Sequence, residues 1–307
     1  MKKTIFVVTL VLFHISNLAF AQQFETHSSK ADSLRGEGDL KLAIEEFANL
    51  YEKDSQDHLN TYNYACALAL DKQIDDAFYF LDIAAAKDTS VQPLNDPDFY
   101  FLLEDDRWSK FQDKLVARIE AKYGKYKNLE LSKELWTMKI KDQAFYYHLD
   151  IADKKIGRDS PVIWALWELK KKLNEQNVKR IKEIIDTHGW PKQSVIGSSA
   201  SSTVFLIIQH SDIDTQKKYL PLMKAAANND EASWSSLALL IDRVKLGEGK
   251  KQVYGSQVYR KEDGSFYVKD LIEPAYVNQR RSEVGLGPIQ DYVSHWGVEW
   301  TIEQKEK

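Results

Sequence analysis

Asp39-Leu40-Lys41-Leu42-Ala43-Ile44-Glu45-Glu46-Phe47 returns 34 residues later as Gln73-Ile74-Asp75-Asp76-Ala77-Phe78-Tyr79-Phe80-Leu81. Across that shift Ala31 falls on Ala65, Leu40 on Ile74, Ala43 on Ala77, Ile44 on Phe78 and Phe47 on Leu81. The shared apolar positions recur three and four residues apart, the spacing of one helix face. Small side chains at Ala43 and Ala77 let paired helices approach closely, while Phe47 and Leu81 fill the space between them. Gly38-Asp39 opens one helix and Gln73, with Asp75 and Asp76, opens the other; acids in a first turn suit the helix dipole. A period of this length belongs to a two-helix unit that cannot bury its apolar face alone and must stack on neighbours. A third, partial register follows at Trp108, Phe111 and Leu115, beyond the turn-rich connector Pro93-Leu94-Asn95-Asp96-Pro97. The helix from Trp108 to Tyr123 is expected to cap the stack.

Ahead of the repeat, Lys2 and Lys3 precede an apolar run from Ile5 to Phe13, and Ala19-Phe20-Ala21 offers a small-residue cleavage site. That three-part pattern reads as a secretion signal over residues 1–21, leaving Gln22 as the first mature residue. The competing reading is a membrane anchor, but His14, Ser16 and Asn17 cut the run short of a bilayer span. No later segment is apolar enough to cross a membrane, so the mature protein is expected to be exported, periplasmic or secreted. Without residues 1–21 the chain holds 40 basic and 46 acidic residues, a net charge of −6. That balance argues against a protein that tracks nucleic-acid phosphates, which needs a basic face. Cys66 is the sole cysteine. It lies in the apolar pattern Tyr64-Ala65-Cys66-Ala67-Leu68, where a thiol packs as a small hydrophobe.

From about Leu129 the periodicity stays helical, at Leu131, Leu135, Met138 and Phe145, then at Ile163, Leu166, Leu169 and Leu173, then at Val178, Ile181, Ile184 and Ile185. The fold class expected is mainly α: helical hairpins over 22–125, a helical domain over 126–295 with one β-hairpin near 252–268, and a tail over 296–307. The hairpin rests on Gln252-Val253-Tyr254-Gly255-Ser256-Gln257-Val258-Tyr259, the turn Glu262-Asp263-Gly264 and the return Phe266-Tyr267-Val268. A bulge at Gly255 would gather Gln257 with Tyr254 on one face.

Polar motifs crowd the second half. In His188-Gly189-Trp190-Pro191, Gly and Pro end a helix and His188 suits its last turn, with a titrating His188 as the alternative. Gln209-His210-Ser211-Asp212 closes a helix whose apolar run, Val204 to Ile208, implies burial, so His210 needs a partner. Asp242-Arg243 lies within the helix Trp234 to Leu246, either as surface charge or with Arg243 as a fixed anion-binding fork. Arg280-Arg281 precedes the helix-closing Gly285 to Pro288.

These motifs, in their order and spacing, resemble a bacterial domain family of unknown function. Its pattern is Asp-Gln, His/Asn-Gly-Trp-Pro, Gln-His-x-Asp, Asp-Arg, Gln-x-Tyr-Gly-Thr-Gln and Arg-Arg-x-x-x-Gly-Leu. Here it stands as Asp142-Gln143, His188 to Pro191, Gln209 to Asp212, Asp242-Arg243, Gln252 to Gln257 and Arg280 to Leu286. Ser256 replaces the family's Thr and keeps the hydroxyl. The resemblance runs from about Leu129 to Tyr292. Residues 22–125 resemble tetratricopeptide-like modules, which implies a peptide or protein partner.

Two functions of different class remain open. One is a site for a small polar ligand built from Asp142, Gln143, Trp190, Gln209, Asp212, Asp242, Arg243, Gln252, Tyr254, Gln257 and Arg281. The other is a hydrolase, lyase or isomerase working without a cofactor, with His188 or His210 as general acid or base. No phosphate loop, dinucleotide fingerprint, nucleophile elbow or zinc helix is present. His188 and His210 are too far apart to share a helix face, so no metal is expected. A third reading takes the polar set as a buried hydrogen-bond network that specifies the fold.

Overall fold

The computed structural model describes residues 30–306; the expected signal sequence, 1–21, lies outside the described residues. The described chain divides into two compact units, 30–237 and 238–306.

In the first unit, α1 (Lys30–Glu37), α2 (Leu40–Lys53), α3 (His58–Leu70) and α4 (Ile74–Ala84) pack each against the next. Of the positions matched across the 34-residue shift, Ala31, Ala43, Phe47, Ala65, Ala77 and Leu81 are completely buried and Phe78 is buried, while Leu40, Ile44 and Ile74 are half-buried. Asp57 caps α3 by accepting the Asn60 N–H at 3.0 Å, and every residue from Tyr64 to Leu70 is buried. The connector 93–97 winds into two short 3₁₀ turns, Gln92–Leu94 and Pro97–Leu102. Both carry Pro at their start, where a fixed φ suits helix entry. α5 (Arg107–Tyr123) follows with Trp108, Phe111 and Leu115 buried.

α6 (Leu129–Gln143) packs against the second of those 3₁₀ turns as well as against later helices. The boundary expected at 125/126 therefore falls inside this unit. α7 (Tyr146–Ile156) leads to the 28-residue α8 (Pro161–His188), opened by Ser160 and Pro161 and closed by Gly189 at φ 73°. Along α8 the expected apolar stripe is only partly right. Ile163, Ile181, Ile184 and Ile185 are buried, but so are Lys170 and Asn177, while Trp164, Trp167 and Leu169 face outward. Phe145, expected on the α6 stripe, instead turns the chain after that helix with φ 69°. α9 (Gln193–Ile196) precedes α10 (Ser198–Gln209), which is buried from Thr203 to Gln209 and packs on α6 and α8. α11 (Ile213–Ala227) is capped by Asp212, which accepts the Thr215 N–H at 2.8 Å.

The division at 237/238 lies within α12 (Trp234–Gly247). In the second unit β1 (Val258–Arg260) and β2 (Phe266–Val268) pair antiparallel, Val258 with Val268 and Arg260 with Phe266. Gly264, at φ 87°, makes the turn. α13 (Val277–Glu283) and α14 (Ile289–Ser294) complete a small core of Leu271, Val277, Ile289 and Val293, with Val258, Val268 and Tyr292 against it. The hairpin is shorter than the span 252–268. Residues 252–257 are loop rather than strand, Gln252 making only an isolated parallel bridge to Leu271. There is accordingly no strand at Gly255 to bulge. The C-terminal stretch expected as a tail is tied down, Gln304 accepting the Asn278 N–H at 3.1 Å and Lys305 N–H donating to Ala275 O at 2.7 Å. Among the described residues the protein is mainly α with one small hairpin, and no helix is long and apolar enough to cross a membrane.

Candidate functional site

Asp142 and His210, 68 residues apart, meet in the first unit with His210 Nδ1 3.0 Å from Asp142 Oδ1. α6 brings Asp142 to its last turn and α10 brings His210 to its C-cap. The contact between those two helices sets the pair. Its side chains are 5% and 1% exposed. A carboxylate taken out of water costs several kcal/mol unless it is compensated. Here burial pushes the Asp142 carboxyl up, but the His210 charge and hydrogen bond, the nearby Lys170 and the Gln143 amide outweigh it and hold it below the usual carboxylate range. Gln143 Nε2 donates to Asp142 Oδ2 at 2.6 Å. An ionised Asp142 can only accept, so the proton of this hydrogen bond sits on His210 Nδ1.

Lys170 completes the cluster. Its ammonium donates to the Asp142 backbone carbonyl and lies 3.9 Å from the Tyr146 ring centroid. That carbonyl belongs to the last turn of α6, where acceptors lack helical partners and a cation is favoured. Asn177 acts one step back, its Nδ2 donating to Met138 O at 3.1 Å. Burial pushes the Lys170 amine down to about 8, against the pull of Asp142.

The His210 segment faces a cleft of about 530 Å³. One wall is a stripe of α8 that includes Trp167, Lys170, Asn174, Val178 and Lys182; His210, Ser211 and Asp212 stand opposite. The Asn174 Oδ1 is buried and has no hydrogen-bond partner among the described residues. Such an acceptor is costly left unmade.

The other residues singled out from the sequence occupy different places. Asp212 lines the cleft, yet its carboxylate is engaged by Thr215 through N–H and hydroxyl at 2.8 and 3.0 Å. Gln209 is buried, its carbonyl accepting from Gln216 Nε2 at 3.0 Å. His188 is exposed at the end of α8, where Gly189 N–H caps Ile185 O at 2.8 Å. Trp190 is buried just beyond it.

Asp242, Arg243, Gln252, Tyr254, Gln257 and Arg281 belong to the second unit. Asp242 is completely buried and gathers the loop after α12 around itself. It accepts N–H bonds from Val253 at 2.6 Å, Tyr254 at 3.0 Å and Ser256 at 3.0 Å, and the Ser256 hydroxyl at 2.9 Å. Burial pushes its carboxyl up against those donors. The reading of Asp242-Arg243 as an exposed surface pair is therefore replaced for Asp242. Gln252 donates to Gln257 O at 3.2 Å and to Lys269 O, and accepts the Gln257 N–H at 3.0 Å. The Gln257 side chain donates to Ser256 Oγ at 2.9 Å. Arg281 reaches Gly287 O at 2.6 Å and Tyr254 O at 2.8 Å, under the Tyr292 ring. This set is a hydrogen-bond network satisfied largely within itself, holding loop and helices together.

A third polar group surrounds Cys66, whose sulfur and the Asp96 and Asp98 carboxylates lie within 4.8 Å of one another. Tyr62 donates to Asp96 at 2.7 Å and Arg35 pairs with Asp98 at 3.4 Å, so both acids are already answered by the protein. Burial pushes the Cys66 thiol well up, which makes it a poor nucleophile and a poor metal ligand.

Lys170, Asn174 and Trp167 were not singled out from the sequence. The available signal was Lys170 itself, a lysine where a spacing of seven from Ile163 places the buried face. Residues 129–303 match the model of a family of unknown function, DUF6624. No curated protein and no solved structure matches the chain.

Proposed function

The chain belongs to the family of unknown function DUF6624, and from that premise we propose that its first unit binds a small polar ligand in the cleft beside His210. The observation that carries this reading is the Asp142–His210 pair, nearly sealed from water yet set at the mouth of a cleft. Polar, titratable groups converging on a concavity are the usual mark of a ligand site. The partnerless Asn174 Oδ1 on the same wall supports it.

A second reading is favoured by the geometry of the pair itself. Asp142 holds the His210 ring by Nδ1, which leaves Nε2 as a proton acceptor, the arrangement of a general base. In this reading the polar ligand is a substrate and the reaction a hydrolysis, elimination or isomerisation. Both readings are tested by thermal melting of the purified protein against a library of small polar metabolites. A stabilising compound whose effect is lost in His210→Gln supports the site. A compound consumed by the wild type, bound by His210→Gln and left intact by it supports catalysis. If no compound raises Tm, the cleft is not a ligand site.

The N-terminal pattern Lys2-Lys3, Ile5 to Phe13 and Ala19-Phe20-Ala21 supports action outside the cytoplasm. The stacked helices α1–α4 support a peptide or protein partner for the first unit, to be sought by cross-linking in the envelope fraction.

A further inference from the structure

We propose that the ligand of the His210 cleft is an anion, a carboxylate- or phosphate-bearing molecule that also offers an N–H or O–H donor. The inference rests on the reading of this cleft as a binding site and adds the charge and hydrogen-bonding character of its occupant.

The cleft wall on α8 carries Lys170, Lys171, Lys179 and Lys182 against a single acid, Glu175. Across the cleft, Asp212 is the other acid, and its oxygens are engaged by Thr215. Lys171 and Lys179 have no carboxylate within ion-pair reach among the described residues, although Glu175 lies four positions from each. Lys182 is offset by Asp212 and Asp186 and Lys170 by Asp142, so the cations in excess are Lys171 and Lys179; such an excess along one concave stripe attracts anions, and the low-dielectric wall concentrates that field. Lys170 adds to it from below: buried, with its amine pushed down to about 8, its protonated form is strengthened by any anion that arrives.

Asn174 selects within the class. Its buried Oδ1 can only accept, so a bare anion leaves it unmet, while a neighbouring hydroxyl or amide N–H satisfies it. Trp167, 41% exposed at the end of the stripe, offers a flat apolar face to the body of the ligand. From Trp167 to Lys182 the stripe runs about 22 Å at 1.5 Å per residue.

The test uses the intact protein and two matched probe pairs: N-acetylglutamate against its diamide, and glycerol 3-phosphate against glycerol. Binding is read from the ring resonances of His210, identified by their absence in His210→Gln. The expected result is that an acidic probe moves those resonances while its neutral partner does not. The double substitution Lys179→Ala, Lys182→Ala should weaken the acidic probe about tenfold, the scale of one charge-assisted contact. Asn174→Leu, which removes the acceptor at similar size, should weaken N-acetylglutamate while sparing inorganic sulfate, an anion with no donor. Equal binding of neutral and acidic partners overturns the anion proposal and leaves the cleft a ligand site. No movement of the His210 resonances with any of the four probes overturns the proposal. Failure of the wider metabolite library to raise Tm separately removes the binding reading beneath it. A double lysine variant that binds the acid as tightly as the wild type likewise sinks the anion proposal, and its unchanged Tm certifies that it is folded.

Discussion

Lys170 carries a charge on a helix face where Ile163, Ile181 and Ile184 call for an apolar side chain. It is tolerated because the end of α6 presents an orphan carbonyl and the Tyr146 ring at the same place. Asp142 is tolerated for the reciprocal reason, with His210, Gln143 and Lys170 around it. Its depressed carboxyl makes a definite statement about stability. A carboxylate held below its unfolded value stabilises the fold above about pH 4 and loses that contribution as pH falls through the folded value. Asp142→Asn should therefore be less stable than the wild type by about 2–3 kcal/mol at neutral pH, and the gap should narrow under acid. Urea denaturation at a series of pH values measures it; a gap that stays constant down to strongly acidic pH would show that Asp142 is not held ionised by its neighbours.

The loop after α12 shows the same economy at the scale of an element. Three backbone N–H groups and one hydroxyl converge on Asp242, and each N–H left buried without an acceptor costs about 1–3 kcal/mol. Asp242→Ala should destabilise the protein by about 3 kcal/mol or more. Amide hydrogen exchange at Val253, Tyr254 and Ser256 should accelerate more than at the hairpin pair Val258 and Val268. Uniform acceleration would mean that the loop has no independent reliance on Asp242. Gly255 lies inside this loop at φ 66°, and a Cβ there would come within 2.6 Å of Ile289 Cδ1. Gly255→Ala should cost about 1–3 kcal/mol through backbone strain, read as a shift in urea midpoint at unchanged m. A sequence reading of Gln252 to Gln257 as strand missed this because alternation of side chains describes a strand and a loop folded over a buried acid equally well. Only the position of Asp242 on the neighbouring helix distinguishes them.

At the scale of the whole molecule the expected export is the first matter to test. Mass spectrometry of the protein expressed in a bacterial host with its full N-terminus should find a mature chain beginning at Gln22 in the periplasm or medium. A cytosolic protein retaining Met1 or Lys2 would remove the export proposal without touching the cleft. The net charge of −4 leads to a second expectation: no binding of labelled duplex DNA by anisotropy at physiological salt.

Helix periods, the 34-residue recurrence and the stop at Gly189 after His188 were legible from the chain because they depend on residues within a few turns of one another. The same locality made the motifs visible: Asp142-Gln143 and Gln209 to Asp212 announce polar chemistry wherever they fold. What the chain alone could not say is which motifs meet. Asp142 finds His210 only through the packing of α6 on α10, and Asp242 finds Ser256 only through the fold of the loop after α12. One meeting stands beside a cleft, and the other closes on itself as a network. Local spacing sets what a residue can do, but burial and partners decide what it does, and both are properties of contacts between distant segments.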